Sequence, residues 1–72
     1  MNQPYLQKKS FRLSGHDTSV ALEPIFWEQL GHIARERGVS LSRLVHDMDL
    51  TMPPNLASAL RVLVVESLKK NP

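Results

Sequence analysis

Hydrophobic and polar residues alternate along residues 10–22. Phe11 and Leu13 stand between Ser10, Arg12 and Ser14. Further on, Thr18, Val20 and Leu22 alternate with Ser19, Ala21 and Glu23. A period of two with β-branched residues predicts strand. Between the two runs, Ser14-Gly15-His16-Asp17 has the composition of a turn or bulge. Two readings follow: one extended segment kinked at Gly15, or two short strands in a hairpin. An isolated hairpin is marginal in water, and a lone strand leaves its edges unpaired. With no other strand pattern in the chain, the expected partner is the same strand of a second subunit.

After Glu23 the period lengthens. Pro24 suits the first position of a helix, where its missing N–H costs nothing. Phe26, Leu30, Ile33 and Ala34 then recur on one helical face, with Trp27 beside it. Gly38 follows Arg35-Glu36-Arg37 and predicts the stop, basic residues in the last turn suiting the helix dipole. Ser40 predicts the cap of a second helix, whose face is Leu41, Leu44, Val45 and Met48. The link of Gly38-Val39-Ser40 is short enough to force a tight corner. Thr51-Met52-Pro53-Pro54 breaks the second helix near Leu50. Asn55 predicts the cap of a third, with Leu56, Leu60, Leu63, Val64 and Leu68 at helical spacing. From Val62 to Val65 this helix is apolar nearly all round, which suits burial on two sides. The expected organisation is a flexible basic arm at 1–9, a domain at 10–70 and a tail at 71–72.

Length sharpens the expectation of a second copy. A chain of 72 residues forms one domain and buries only about 60% of its unfolded surface as a monomer. It has no cysteine, so neither disulfides nor thiolate metal sites can supply the missing stability. The net charge is +2, with the basic excess at the two ends and an acidic middle. A basic N-terminal segment is either a solvated tail or an electrostatic footprint for nucleic acid. The longest apolar run, Val62-Leu63-Val64-Val65, is far short of the ~20 residues of a membrane span. Residues 1–13 contain no apolar stretch of signal-peptide type, and a cytoplasmic protein is expected.

Two blocks are more specific than the generic strand-helix-helix pattern. One is Thr18-Ser19-Val20-Ala21-Leu22-Glu23-Pro24-Ile25-Phe26-Trp27, continued by Gly38-Val39-Ser40-Leu41; the other is Asn55-Leu56-Ala57-Ser58-Ala59-Leu60-Arg61-Val62. Together they resemble the ribbon-helix-helix superfamily of dimeric DNA-binding regulators, in particular a bacterial subgroup with this strand-helix junction and third helix. The resemblance spans about residues 10–68. It implies a mainly α fold with one short β-ribbon strand and an additional C-terminal helix, assembled as an intertwined homodimer. It also implies a transcriptional regulator, such as a repressor, that inserts an intermolecular β-ribbon into the major groove of double-stranded DNA.

Under that resemblance the strand face opposite Val20 and Leu22 points at bases, which selects Asp17, Ser19 and Ala21. Ser40 and Ser42 at the start of the second helix would meet a phosphate. Asp17 stands where relatives commonly carry Arg. A carboxylate cannot donate to guanine but accepts from a cytosine amine, and Ala21 offers only contact with a thymine methyl. Better donors lie upstream, in Lys8, Lys9, Ser10, Arg12 and His16. The expected dimer core is Val20, Leu22, Phe26, Leu30, Leu44, Leu60, Leu63 and Val64.

His16, His32 and His46 match no local metal-ligand spacing, so neither metal nor cofactor is expected. The chain is also short for enclosing a pocket of enzymatic size. Two other functions compete with DNA binding by a ribbon. The same fold can serve as a protein-interaction module of antitoxin or adaptor type. Alternatively, Ala34 to Ser40 can form the turn of a monomeric helix-turn-helix, reading DNA with Ser42, Arg43 and His46.

Overall fold

In a computed structural model that describes residues 5–70, two strands precede three helices. They are β1 (Gln7–Leu13), β2 (His16–Leu22), α1 (Pro24–Arg37), α2 (Leu41–Asp49) and α3 (Leu56–Lys70). The first four residues of the expected arm and the 71–72 tail lie outside the described residues.

Of the two readings of the alternating segment, the hairpin is the one observed. β1 and β2 pair antiparallel from Gln7 opposite Leu22 to Leu13 opposite His16. Only Ser14 and Gly15 connect them, with φ of 52° and 83°. Positive φ at both central residues is the signature of a type I′ turn, whose twist matches that of the flanking strands. The strand expected to seek its partner in a second subunit therefore pairs inside its own chain. The partner includes Gln7, Lys8 and Lys9, which the polar pattern alone places in the arm. Their polarity hides a strand because one face of this hairpin is solvated, and β1 has only Phe11 and Leu13 buried.

The inner face of the hairpin packs on the helices. Phe11, Leu13, Val20 and Leu22 join Trp27, Leu30, Ile33 and Ala34 of α1, Leu44 and Val45 of α2, and Leu60 and Val64 of α3 in one core. Six of the residues expected to form a dimer core, Val20, Leu22, Leu30, Leu44, Leu60 and Val64, are thus buried within a single chain. Phe26 and Leu63 are half-buried against the same cluster.

The helix ends follow the expected chemistry. Gly38 takes the left-handed conformation after α1, and its N–H donates to the Arg35 carbonyl while that of Val39 donates to Ala34. This is a Schellman motif. Ser40 Oγ accepts from the Arg43 N–H at 3.0 Å, and Asn55 Oδ1 accepts from the Ser58 N–H at 2.9 Å. The junction of β2 and α1 is tied to α3 by an ion pair. Glu23 Oε1 accepts from Arg61 Nη2 at 3.0 Å and from Nε at 3.1 Å. Glu23 lies below its ordinary pKa because its own backbone N–H stabilises the carboxylate, partial burial works the other way, and Arg61 adds a hydrogen bond and a charge.

Candidate nucleic-acid interface

Strand alternation sorts the side chains of the hairpin into two sets. Phe11, Leu13, Val20 and Leu22 point inward, so Lys8, Ser10 and Arg12 of β1 and Asp17, Ser19 and Ala21 of β2 share the outer face. The register stacks these six as three cross-strand pairs: Lys8 with Ala21, Ser10 with Ser19, and Arg12 with Asp17. Two of the pairs are in contact. The hydroxyls of Ser10 and Ser19 are 3.2 Å apart, and Arg12 Nη1 donates to Asp17 Oδ1 at 3.3 Å. The outer face is therefore a narrow polar ribbon with two cations, one anion and one methyl group.

Two expected contact residues fall on the other side. Lys9 lies opposite Val20 on the inner face, half-buried, with its ammonium 5.7 Å from the centre of the Trp27 ring. His16 pairs with Leu13 beside the turn and remains exposed. Ser40 and Ser42 are exposed at the start of α2, where Ser40 carries the capping bond. That bond leaves the helix with free N–H groups in its first turn, which favour an anion. The hairpin turn meets α2 further along, with Ser14 Oγ 3.5 Å from His46 Nε2. Arg43 pairs with Asp47 at 3.1 Å on the exposed side of α2. Among the described residues no group of three or more His, Asp or Glu side chains could hold a metal ion.

The ribbon followed by helices at this spacing has counterparts among known proteins. The sequence profile of the ribbon-helix-helix domain matches residues 6–68. The chain belongs to the ribbon-helix-helix family. A solved structure, that of an uncharacterized protein from Bordetella pertussis Tohama I, is similar over 94% of this chain with a TM-score of 0.80 and 33% identity. This chain covers 61% of that one. No curated protein matches it. Among the described residues of this ribbon-helix-helix protein, no helix is long and apolar enough to cross a membrane.

Sequence reasoning placed Asp17, Ser19 and Ala21 on the outer face, named Lys8, Ser10 and Arg12 only as upstream donors alongside Lys9 and His16, and missed the cross-strand pairing. The signal was present: a two-residue turn at Ser14-Gly15 places residue 12 opposite residue 17 by arithmetic alone. The role of Trp27 was less accessible. Its indole N–H reaches the carbonyl of Gln7 at 2.7 Å, and a backbone acceptor leaves no trace in side-chain pattern.

Proposed function

We propose that this ribbon-helix-helix protein is a homodimeric, sequence-specific DNA-binding regulator of transcription. The observation that carries the reading is the outer face of the hairpin, where six polar or small side chains form three ordered cross-strand pairs. The major groove, about 12 Å wide, admits a two-stranded ribbon of this kind. On this reading the inserted ribbon is intermolecular, formed where the edge of β2 that β1 leaves uncovered meets a second copy, with Lys8 and Arg12 supplying charge and Ser10 and Ser19 supplying hydrogen bonds. Ser40 and Ser42 at the start of α2 would hold a phosphate.

Dimerisation is supported by α3. Leu60 and Val64 are consumed by the core of the chain, yet Val62 and Val65 away from that face, and Leu68 near the helix end, remain 52%, 49% and 56% exposed. A second copy is the occupant that suits a chain too small to leave such a stripe in water without loss. Such a regulator works where bacterial DNA is, in the cytoplasm, and the absence of cysteine is compatible with that compartment.

The test is selection of bound sequences from random duplex DNA, followed by affinity measurements across salt concentrations. A recovered motif whose binding weakens steeply with salt is expected. A second reading, a protein-interaction module, is favoured by the Arg12–Asp17 pair, which neutralises one of the two outer cations. A stoichiometric protein partner, with no DNA retained, would select it instead.

A further inference from the structure

We infer that β1 is a phosphate-holding strand: in the dimer, Lys8 and Arg12 of each copy grip the sugar–phosphate walls of the major groove and leave its floor to β2. This assignment rests on the DNA-binding reading above. β1 covers one edge of β2 along its whole length, from Gln7 opposite Leu22 to Leu13 opposite His16, and leaves the other edge open. Joined to a second copy at the open edge, the sheet has four strands, the two β2 strands at its centre and a β1 strand on each flank. Phe11 and Leu13 anchor β1 in the core, only 8% and 2% exposed, so β1 stays on the flank when the copies meet.

Strand spacing then decides what each strand meets. Neighbouring strands lie about 4.8 Å apart. The β2 axes therefore run about 2.4 Å from the two-fold axis, and the β1 axes about 7.2 Å from it. The major groove is about 12 Å wide, so its walls stand about 6 Å from its midline. The central pair of strands fits between the walls, and four strands do not. Each β1 comes to rest over a wall, where the phosphates are.

The outer side chains of β1 suit that position. Arg12 gives only Nη1 to Asp17, its partner on β2, at 3.3 Å. Its parallel Nε and Nη2 donors lie on the opposite edge of the guanidinium, and among the described residues they make no hydrogen bond. Two parallel N–H groups are the fork that matches two oxygens of one phosphate. The Asp17 carboxylate, which looks wrong on a DNA-facing strand, thus holds Arg12 with that fork turned away from the ribbon's centre. Lys8 stands opposite Ala21, whose methyl group gives its ammonium no partner, and no ion pair among the described residues reaches it. Lys9 takes no part, because its ammonium lies over the Trp27 ring on the inner face. Lys8 and Arg12 are about 13 Å apart along the strand, so each β1 holds two separate phosphates of one wall.

The experiment is a thermodynamic cycle on the duplex site that the wild-type protein selects. One arm is the Arg12→Ala or Lys8→Ala substitution. The other is replacement of single phosphates, one at a time, by neutral methylphosphonate. At one wall phosphate the replacement is expected to weaken the wild-type protein about tenfold and to leave R12A unaffected; at a second phosphate of the same wall it should leave K8A unaffected. Both variants are also expected to select the wild-type motif, each weaker on every sequence by a constant factor, because a phosphate contact carries no sequence information. Loss of preference at a base position in either variant would overturn the assignment. So would equal responses of the wild type and both variants to every replacement. Either of those results leaves DNA binding itself intact. If the wild-type protein enriches no sequence, it is the underlying DNA reading that fails, and this assignment with it.

Discussion

The indole N–H of Trp27 donates to the backbone carbonyl of Gln7 at 2.7 Å, joining the first turn of α1 to the first residue of β1. The Trp27 ring is also 5.8 Å from that of Phe11, centre to centre, so one side chain holds the first strand at two points along its length. This is how a segment as polar as Gln7-Lys8-Lys9 stays in a sheet. Trp27→Phe removes the donor and keeps much of the ring. It is expected to cost about 1–2 kcal/mol, from a lost hydrogen bond and a small loss of packing. Chemical denaturation measures the cost, and hydrogen exchange should show faster opening at the Gln7 end of β1 than at the Leu13 end.

The turn makes a second prediction. Gly15 sits at φ 83° with nothing within 4 Å of where a Cβ would stand. Any penalty there is backbone strain and not collision. Gly15→Val should destabilise by about 1–2 kcal/mol, read from the shift of the denaturation midpoint. If the cost is absent, the two-residue turn is not the conformation in solution.

Lys8 and Lys9 are adjacent in sequence and opposite in orientation, and their substitutions should differ in kind. Lys8→Ala removes an outer-face cation and should lower the slope of log affinity against log salt by about one, with stability unchanged. Lys9→Ala removes a cation stacked near Trp27 and should cost about 0.5–1 kcal/mol of stability. The two proteins, compared by DNA titration and by denaturation, should exchange phenotypes in no assay. Equal effects on DNA binding would mean that the groove does not meet the hairpin by its outer face.

The Glu23–Arg61 pair predicts a pH dependence. The folded-state pKa of Glu23 lies below the ordinary 4.5, so the ionised form is favoured by folding. Its stabilisation is present above 4.5 and is lost as the pH falls through the depressed folded value. The stability gap between wild type and Glu23→Gln should therefore be largest near neutral pH and should close on acidification. Urea midpoints across an acid series check this; a gap that widens in acid contradicts the pairing.

For the dimer, position on α3 decides what a charge does. Val65→Asp or Leu68→Asp places the carboxylate on the exposed stripe and should convert a dimer to a folded monomer in analytical ultracentrifugation. Leu22→Asp or Val20→Asp buries it in the core of the single chain, where an unpaired charge abolishes folding and does not merely separate subunits. A V65D protein that sediments as an unchanged dimer would move the interface away from α3.

The sequence by itself determined the helices. Pro24, Gly38, Ser40 and Asn55 act on backbone groups within a few residues of themselves, and the caps and stops they predict are the ones observed. It also determined which face of the Ser10–Leu22 segment is polar, because side-chain direction in a strand is fixed by a period of two. What only the tertiary structure decided is the partner of β2. Pairing joins residues up to 15 positions apart, Gln7 with Leu22, and its energy lies in backbone hydrogen bonds that every sequence can make. Residues 7–9 are held in the sheet by a tryptophan that reaches the backbone of the first strand from α1, and such a contact has no local pattern. The same holds for Arg12 and Asp17. Each is an ordinary surface charge in sequence, and they become a pair only when the turn sets them face to face.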